Sequence, residues 1–307
     1  MTNVFIDGSA GTTGLRIADR LAQRQDLNLI RLPEQLRKDN DARKDAIAGA
    51  DIVFLCLPDA AAIEAVALAE GSKAKIIDTS TAHRINPAWA YGFPELSGQR
   101  EKIASSSRIA NPGCHASGFV ALVAPLVEQG IVSPDAALSA FSLTGYSGGG
   151  KKMIAEYESQ ERSPLLKGPR QYGLTQSHKH LPEMVKICGL NAAPVFCPIV
   201  GDFYSGMEVT VPLFAKDIKG SIEDIKALYR SYYAKGLVRF ADEADPDGML
   251  SAAAFSGRDD MAVSVFGNGE RILLVSRFDN LGKGASGAAI QNMNILLGVD
   301  ETTGLNV

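Results

Sequence analysis

The chain has 307 residues, 46% of them hydrophobic, enough for a sizeable core in one large domain or two ordinary ones. Its 31 basic and 35 acidic side chains leave a formal charge of −4, so neither a basic footprint for nucleic acid nor an acidic solvating tail is present, and the expected partner is a small molecule. No apolar run reaches membrane-span length, and the opening MTNVFIDGSAGTTG has neither a basic segment with a long apolar core nor an Arg/Ser-rich transit pattern, so no membrane association and a cytoplasmic location are expected.

Residues 3–8, NVFIDG, read as a first strand, and the next segment places Leu15, Ala18, Leu21 and Ala22 on one helical face. Between them lies GSAGTTG, with Gly8, Gly11 and Gly14 in a G-x-x-G-x-x-G variant of the dinucleotide fingerprint G-x-G-x-x-G. A side-chain-free turn lets backbone N–H groups and the helix start face a pyrophosphate, and the hydroxyls of Ser9, Thr12 and Thr13 add donors. A tight glycine turn without a ligand is the alternative. LNLIRL follows as a second strand. Arg31 stands at its end with Arg37 and Lys38 behind, suited to a 2′-phosphate, whereas Glu34 sits where an acid would hold a ribose 2′-OH. Pro33 breaks the strand, so Glu34 reads as the start of the next helix, where an acid suits the dipole, and the balance favours NADP(H) over NAD(H).

The strand-like IVFLCLP, the helical AAAIEAVALAE and the strand-like KIIDTS continue the alternation, which predicts βαβ units and a parallel sheet covered on both sides. Arg84, just after the strand-end TST, is a candidate anion ligand. Of the four cysteines, Cys56 and Cys197 lie in apolar strand-like runs and read as core, Cys188 has no assigned role, and no C-x-x-C pair or zinc-ligand spacing implies a structural metal.

Cys114 differs. It follows the turn Asn111-Pro112-Gly113 and precedes a long apolar helical stretch, so it falls at a helix N-terminus, where the dipole lowers a thiol's pKa and N–H groups stand ready for an oxyanion. Lowering that pKa from about 8.5 to about 6 gains some tenfold in thiolate at neutral pH, but a Brønsted slope near 0.4–0.5 returns roughly tenfold in nucleophilicity. Acidity alone is therefore insufficient, and positioning, oxyanion donors and a proton partner must supply the rest.

From residue 133 onward strands follow one another, ALSAFSLTG, APVFCPIVGD, GMEVTVPLF, MAVSVFG and RILLVSRFD, several without an intervening helix, which predicts a mostly antiparallel α+β domain. Ser147, Gly148 and Lys151 in SGGGKKM ahead of a helix are candidates for an anionic substrate group, with a solvated basic turn as the alternative. SHKHLPE supplies His178 and His180 as proton partners for the thiol. In an extended segment they point opposite ways, so one faces Cys114; His180 is the first choice and His178 the second. A last helical stretch over residues 285–297 has no strand after it and could return to the first domain.

YGFPEL at 91–96, IANPGCHASG around Cys114, YSGGGKKM, SHKHLPEM and DNLGKGASGAAIQNMN at 279–294 together resemble, in order and over nearly the full length, the N-acetyl-γ-glutamyl-phosphate reductases of arginine biosynthesis, specifically their shorter subfamily. The resemblance implies NADPH-dependent reduction of an acyl phosphate, the small-molecule partner, through a thioester on Cys114, with one histidine of H-K-H as acid/base and Asn280 near the nicotinamide. It implies α/β plus α+β architecture: a Rossmann-type parallel-sheet domain over residues 1–113 plus 284–307, and a catalytic, oligomerisation domain over 114–283. Homodimers or homotetramers are implied as well. The family more often has an aromatic residue after the cysteine, where this chain has His115. Aspartate-semialdehyde dehydrogenase and an NADPH-binding redox sensor are the competing readings.

Overall fold

The computed structural model describes residues 1–307. The chain divides into two compact units, Met1–Pro112 with Ala285–Leu305, and Gly113–Gly284 with Asn306–Val307.

In the first unit the elements run β1 (Thr2–Asp7), α1 (Thr12–Leu21), β2 (Leu27–Ile30), α2 (Asn40–Ala48), β3 (Ile52–Leu55), α3 (Asp59–Leu68), β4 (Lys75–Asp78), β5 (Ala90–Tyr91), α4 (Gln99–Ser105) and β6 (Arg108–Ala110). The sheet order is β2-β1-β3-β4-β6-β5, and every pairing is parallel. Every residue of β3 is buried, because helices cover both faces of the sheet and leave no side for polar residues. Val4, Ile6, Phe54 and Ile77 pack on one face with Ile17 and Leu21 of α1, while Phe5, Val53, Leu55 and Ile76 pack on the other with α2 and α3. The chain leaves β1 to one side for β2 and later to the other for β3, so the strand order reverses beside the end of β1. That is where a parallel α/β sheet leaves room for a ligand.

The second unit begins with α5 (Cys114–Glu128), followed by β7 (Ser139–Gly145), α6 (Gly150–Glu158), β8 (Arg170–Gln171), α7 (Leu181–Cys188), β9 (Val195–Gly201), β10 (Met207–Phe214), α8 (Ile222–Tyr232), β11 (Val238–Phe240), β12 (Met261–Gly267) and β13 (Arg271–Phe278). Its sheet is mixed, in the order β11-β12-β13-β10-β7-β9-β8, with β7–β9 and β11–β12 parallel and the other pairs antiparallel. β7 and β9 run parallel because α6, β8 and α7 lie between them as a crossover. α5 crosses one face of this sheet, touching β10 and β13. It is buried along nearly its whole length, which explains its almost uniformly apolar sequence. Gly118 makes the approach possible: a β-carbon there would stand 2.5 Å from Val209 Cγ2 and 2.8 Å from Ser276 Oγ. The opposite face of the sheet is open, and Phe141, Val195, Phe214 and Leu273 are exposed on it. The final helix, α9 (Gly287–Leu297), packs Ala289, Ile290 and Met293 into the core of the first unit. No helix is long and apolar enough to cross a membrane.

Candidate active site

The loop after β1 is built as a close-packed turn. Gly8 has φ +87°, and a β-carbon there would lie 2.3 Å from the Cys56 carbonyl oxygen at the end of β3. A β-carbon on Gly14 would lie 2.5 Å from the Gly8 carbonyl oxygen, so this glycine lets α1 approach the strand. Gly11 is the N-cap of α1 and supplies no side-chain cap, which leaves the helix's first turn, headed by Thr12 and Thr13, uncapped by its own sequence. A cleft of about 540 Å³ runs from this loop past the end of β2, lined among others by Gly8, Ser9, Leu15, Arg31, Arg37 and Lys38. Glu34 is ion-paired with Arg37 at 2.7 Å. Its carboxylate is thereby engaged, while the exposed Arg31 and Lys38 line the cleft as cations. The bare helix start, the glycine cradle and the basic lining fit a dinucleotide with a 2′-phosphate.

Arg84 lies just after the end of β4. It is buried, its Nε donates to the Asn111 carbonyl and its Nη2 to the Thr79 carbonyl, both at 3.0 Å. The guanidinium secures the backbone entering the Asn-Pro-Gly turn. Asn111 is held from the other side as well, donating through Nδ2 to the Ala285 carbonyl at 3.0 Å and accepting from Asn292 at 3.3 Å.

Cys114 is the first residue of α5, half-buried, with Gly113 as the N-cap. Gly113 has no side chain to cap the helix, and its own N–H donates to the buried Glu183 carboxylate on α7 at 2.9 Å. Cys56 contrasts with it: the residue keeps some exposed surface, but burial pushes its thiol up to about 12.

The H-K-H segment is a turn rather than an extended strand. Leu181 N–H donates to the His178 carbonyl at 3.0 Å, and His180 N–H donates to His178 Nδ1 at 3.2 Å. Both imidazoles therefore gather on one side instead of alternating, with ring centres 4.8 Å apart. They lie 5.4 and 5.6 Å from the ring of His115, for His178 and His180 respectively. His180 is buried at the N-cap position of α7 without a side-chain bond to the helix, while burial and then Lys179 lower the pKa of His178.

His115 is one residue further along α5 than Cys114 and is turned to the sheet. Its Nδ1 meets Ser142 Oγ of β7 at 2.6 Å, and its Nε2 meets the Tyr172 hydroxyl at 2.7 Å. Burial, with the charges of His178 and Lys179, pushes its pKa down to about 3, so the ring is neutral. Burial first, and then the Cys114 charge, raises the Tyr172 phenol.

Ser147 and Asn280 belong to one buried contact: Asn280 Nδ2 donates to Ser147 Oγ at 3.0 Å, and its Oδ1 accepts from Gly206 N–H at 3.0 Å. Ser147 and Asn280 are both buried. What this contact presents is the exposed Gly148 and, at the uncapped start of α6, the exposed Lys151.

Residues 3–106 match the family described as semialdehyde dehydrogenase, NAD binding domain, and residues 114–280 match semialdehyde dehydrogenase, dimerisation domain. N-acetyl-gamma-glutamyl-phosphate reductase of Brucella ovis is 46% identical over 305 residues, covering 96% of this chain and 98% of its own. A protein named N-acetyl-gamma-glutamyl-phosphate reductase 2 from Nostoc sp. is 46% identical over 317 residues, with 98% of each chain covered. The chain belongs to the N-acetyl-γ-glutamyl-phosphate reductase family. Aspartate semialdehyde dehydrogenase II from Vibrio cholerae shares the fold, with a TM-score of 0.73 over 97% of this chain and 99% of that one at 16% identity.

For a member of the N-acetyl-γ-glutamyl-phosphate reductase family, the residues that sequence reasoning did not assign to the site are Ser142, Tyr172 and Glu183. Ser142 sits in an alternating strand whose inward positions also include Ala140 and Thr144, and a hydroxyl there is a weak signal. Tyr172 lies in a segment without periodicity. The polar residue at 115, directly after the cysteine on a helix buried nearly throughout, is the one clue the sequence offers.

Proposed function

We propose that this protein reduces N-acetyl-γ-glutamyl phosphate with NADPH to N-acetylglutamate 5-semialdehyde and phosphate, through a thioester on Cys114. The observation that carries this reading is the near-full-length 46% identity to reductases of that name, together with a cysteine at the start of a buried helix in the second unit. The competing aspartate-semialdehyde reading rests on neighbours at 15–16% identity, a likeness of fold alone.

In this reading the Cys114 thiolate adds to the acyl carbon, the C–O bond to phosphate breaks, and a thioester remains on sulfur. The exposed Lys151 and the Gly148 backbone receive the departing phosphate, which takes a proton from water to leave as the dianion, supported by the uncapped start of α6. NADPH, when bound, supplies the hydride that takes the thioester to the oxidation level of the aldehyde. Gly8, Ser9, Gly11, Thr12, Thr13 and Gly14 hold its pyrophosphate, and Arg31 with Lys38 its 2′-phosphate. The alkoxide that hydride addition leaves takes a proton from water to give the thiohemiacetal on Cys114, which then collapses: His180 or His178 takes the hydroxyl proton, the C–S bond breaks with its electron pair returning to sulfur, and the aldehyde leaves. A neutral imidazole suits that step, and burial keeps His178 in that form.

Assembly as a homodimer or homotetramer belongs to the same reading, supported by the exposed Phe141, Val195, Phe214 and Leu273 on the open face of the second sheet. A cytoplasmic location belongs to it too. The test is the initial rate with N-acetylglutamate semialdehyde, phosphate and NADP⁺, beside NAD⁺ and beside aspartate semialdehyde. Phosphate-dependent NADP⁺ reduction with the acetylated substrate, abolished in Cys114→Ser with cofactor binding kept, is expected; retained turnover in that variant refutes the nucleophile.

A further inference from the structure

The proton inventory around His115 determines which way its two hydrogen bonds run. A neutral imidazole has one N–H and one lone pair, so one ring nitrogen donates and the other accepts. If Nδ1–H donated to Ser142 Oγ, the Ser142 proton would be left without an acceptor in a fully buried place, since His115 is the partner its hydroxyl has. With Ser142 O–H donating to Nδ1 instead, Nε2–H donates to the Tyr172 oxygen, and every buried proton is used. The Tyr172 O–H is then the one proton of the chain left to be donated onward, on a phenol that feels the charge of Cys114. Tyr172 is itself fixed, through its backbone N–H to the Pro198 carbonyl at 3.0 Å and by packing against Tyr157, Leu166 and Val200.

We infer that Tyr172 is a catalytic residue whose O–H donates to the oxygen that turns negative on the carbon bonded to Cys114, and that His115, backed by Ser142, is the positioning residue that aims it. The inference rests on Cys114 as the nucleophile. A half-buried donor fixed at the end of a chain of two neutral hydrogen bonds needs little reorganisation when the oxyanion appears, which is where such groups act most strongly. The charged and titratable groups around the pair are His178, Lys179 and His180 ahead of α7, Glu183 on α7, and Lys283 beside Gly284, where an added β-carbon would stand 3.0 Å from the Cys114 β-carbon. None of them is altered by the variants below.

The experiment compares two reactions of Cys114 that need neither NADPH nor the acyl phosphate. p-Nitrophenyl acetate acylates the thiolate through a tetrahedral oxyanion that collapses by expelling p-nitrophenolate. Iodoacetamide alkylates the same thiolate by displacement of iodide, with no oxyanion. Tyr172→Phe, which removes one oxygen and keeps the ring, is expected to slow acylation about 100-fold and leave alkylation within about twofold. His115→Phe is expected to slow acylation about tenfold in the wild-type background and not at all in the Tyr172→Phe background, because its effect runs through that hydroxyl. His115→Gln, which keeps an amide N–H at the place of Nε2, is expected to restore most of the rate. Equal losses in both reactions, no loss of acylation in Tyr172→Phe, or a His115→Phe effect that survives in the double variant would each overturn the inference. Should His115→Phe not fold, Tyr172→Phe and His115→Gln decide it. A wild-type protein without phosphate-dependent semialdehyde oxidation would refute the proposed function and leave this result standing.

Discussion

Gly118→Ala tests how closely the fold holds the reacting cysteine. On an isolated helix the change gains about 1 kcal/mol, and one more buried methyl adds about 0.8 kcal/mol. Here the new β-carbon would stand 2.5 Å from Val209 Cγ2, 2.8 Å from Phe278 Cε1 and 2.8 Å from Ser276 Oγ. Ordinary carbon contact begins near ~3.5 Å, so α5 must lift about 1 Å from the sheet. Val209, Ser276 and Phe278 have no exposed surface into which to yield. The overpacking cost therefore falls at the upper end of its range, about 3 kcal/mol, and the net loss is about 1 kcal/mol. Thermal melts at a fixed scan rate should show Tm lower by about 2–4 °C. Cys114 lies one helical turn ahead of Gly118 on the same rigid element, and a displacement of that size at the sulfur lowers kcat about tenfold or more. A variant with raised Tm and undiminished kcat would refute the close helix-on-sheet packing and the positional argument together.

Two further outcomes follow from the same structure. Arg31→Glu should raise the KM for NADPH at least about tenfold with little effect on NADH, because one charge-assisted bond to a phosphate is lost and a like charge gained; an unchanged NADPH KM would remove Arg31 from the 2′-phosphate. Burial pushes the Asp260 carboxyl up, but Arg258 and Arg239 overcome it and hold the pKa below 3.8. A carboxylate depressed in the folded state stabilises above its unfolded value and loses that contribution as pH falls through the folded one. The Tm gap between the wild type and Asp260→Asn should be complete above pH 3.8 and close below it, and a gap that persisted at lower pH would show the ion pairs to be idle.

Much of the architecture was legible along the chain because its signals are local. An apolar run, a glycine turn and an amphipathic helix are each readable within a dozen residues, and Gly8, Gly11, Gly14, Arg31 and Cys114 stand out as candidates in that way. The cysteine's place at a helix start needed only Asn-Pro-Gly ahead of it and the apolar stretch behind. The alternation rule failed at His178 and His180 because it presupposes an extended backbone. A turn closed by the Leu181 N–H brings both rings to one side.

What tertiary structure alone decided is where the hydrogen-bonding groups spend themselves. Arg84 and Asn280 are of the right type for anion and cofactor binding, and in the fold one also holds the carbonyls of Asn111 and Thr79 while the other spans Ser147 and Gly206. Ser142, His115 and Tyr172 come from a strand, a helix and an irregular segment, and no periodicity links them. A buried polar group must find a partner wherever the fold brings one, and that partner is set by three-dimensional proximity, which a one-dimensional pattern does not encode.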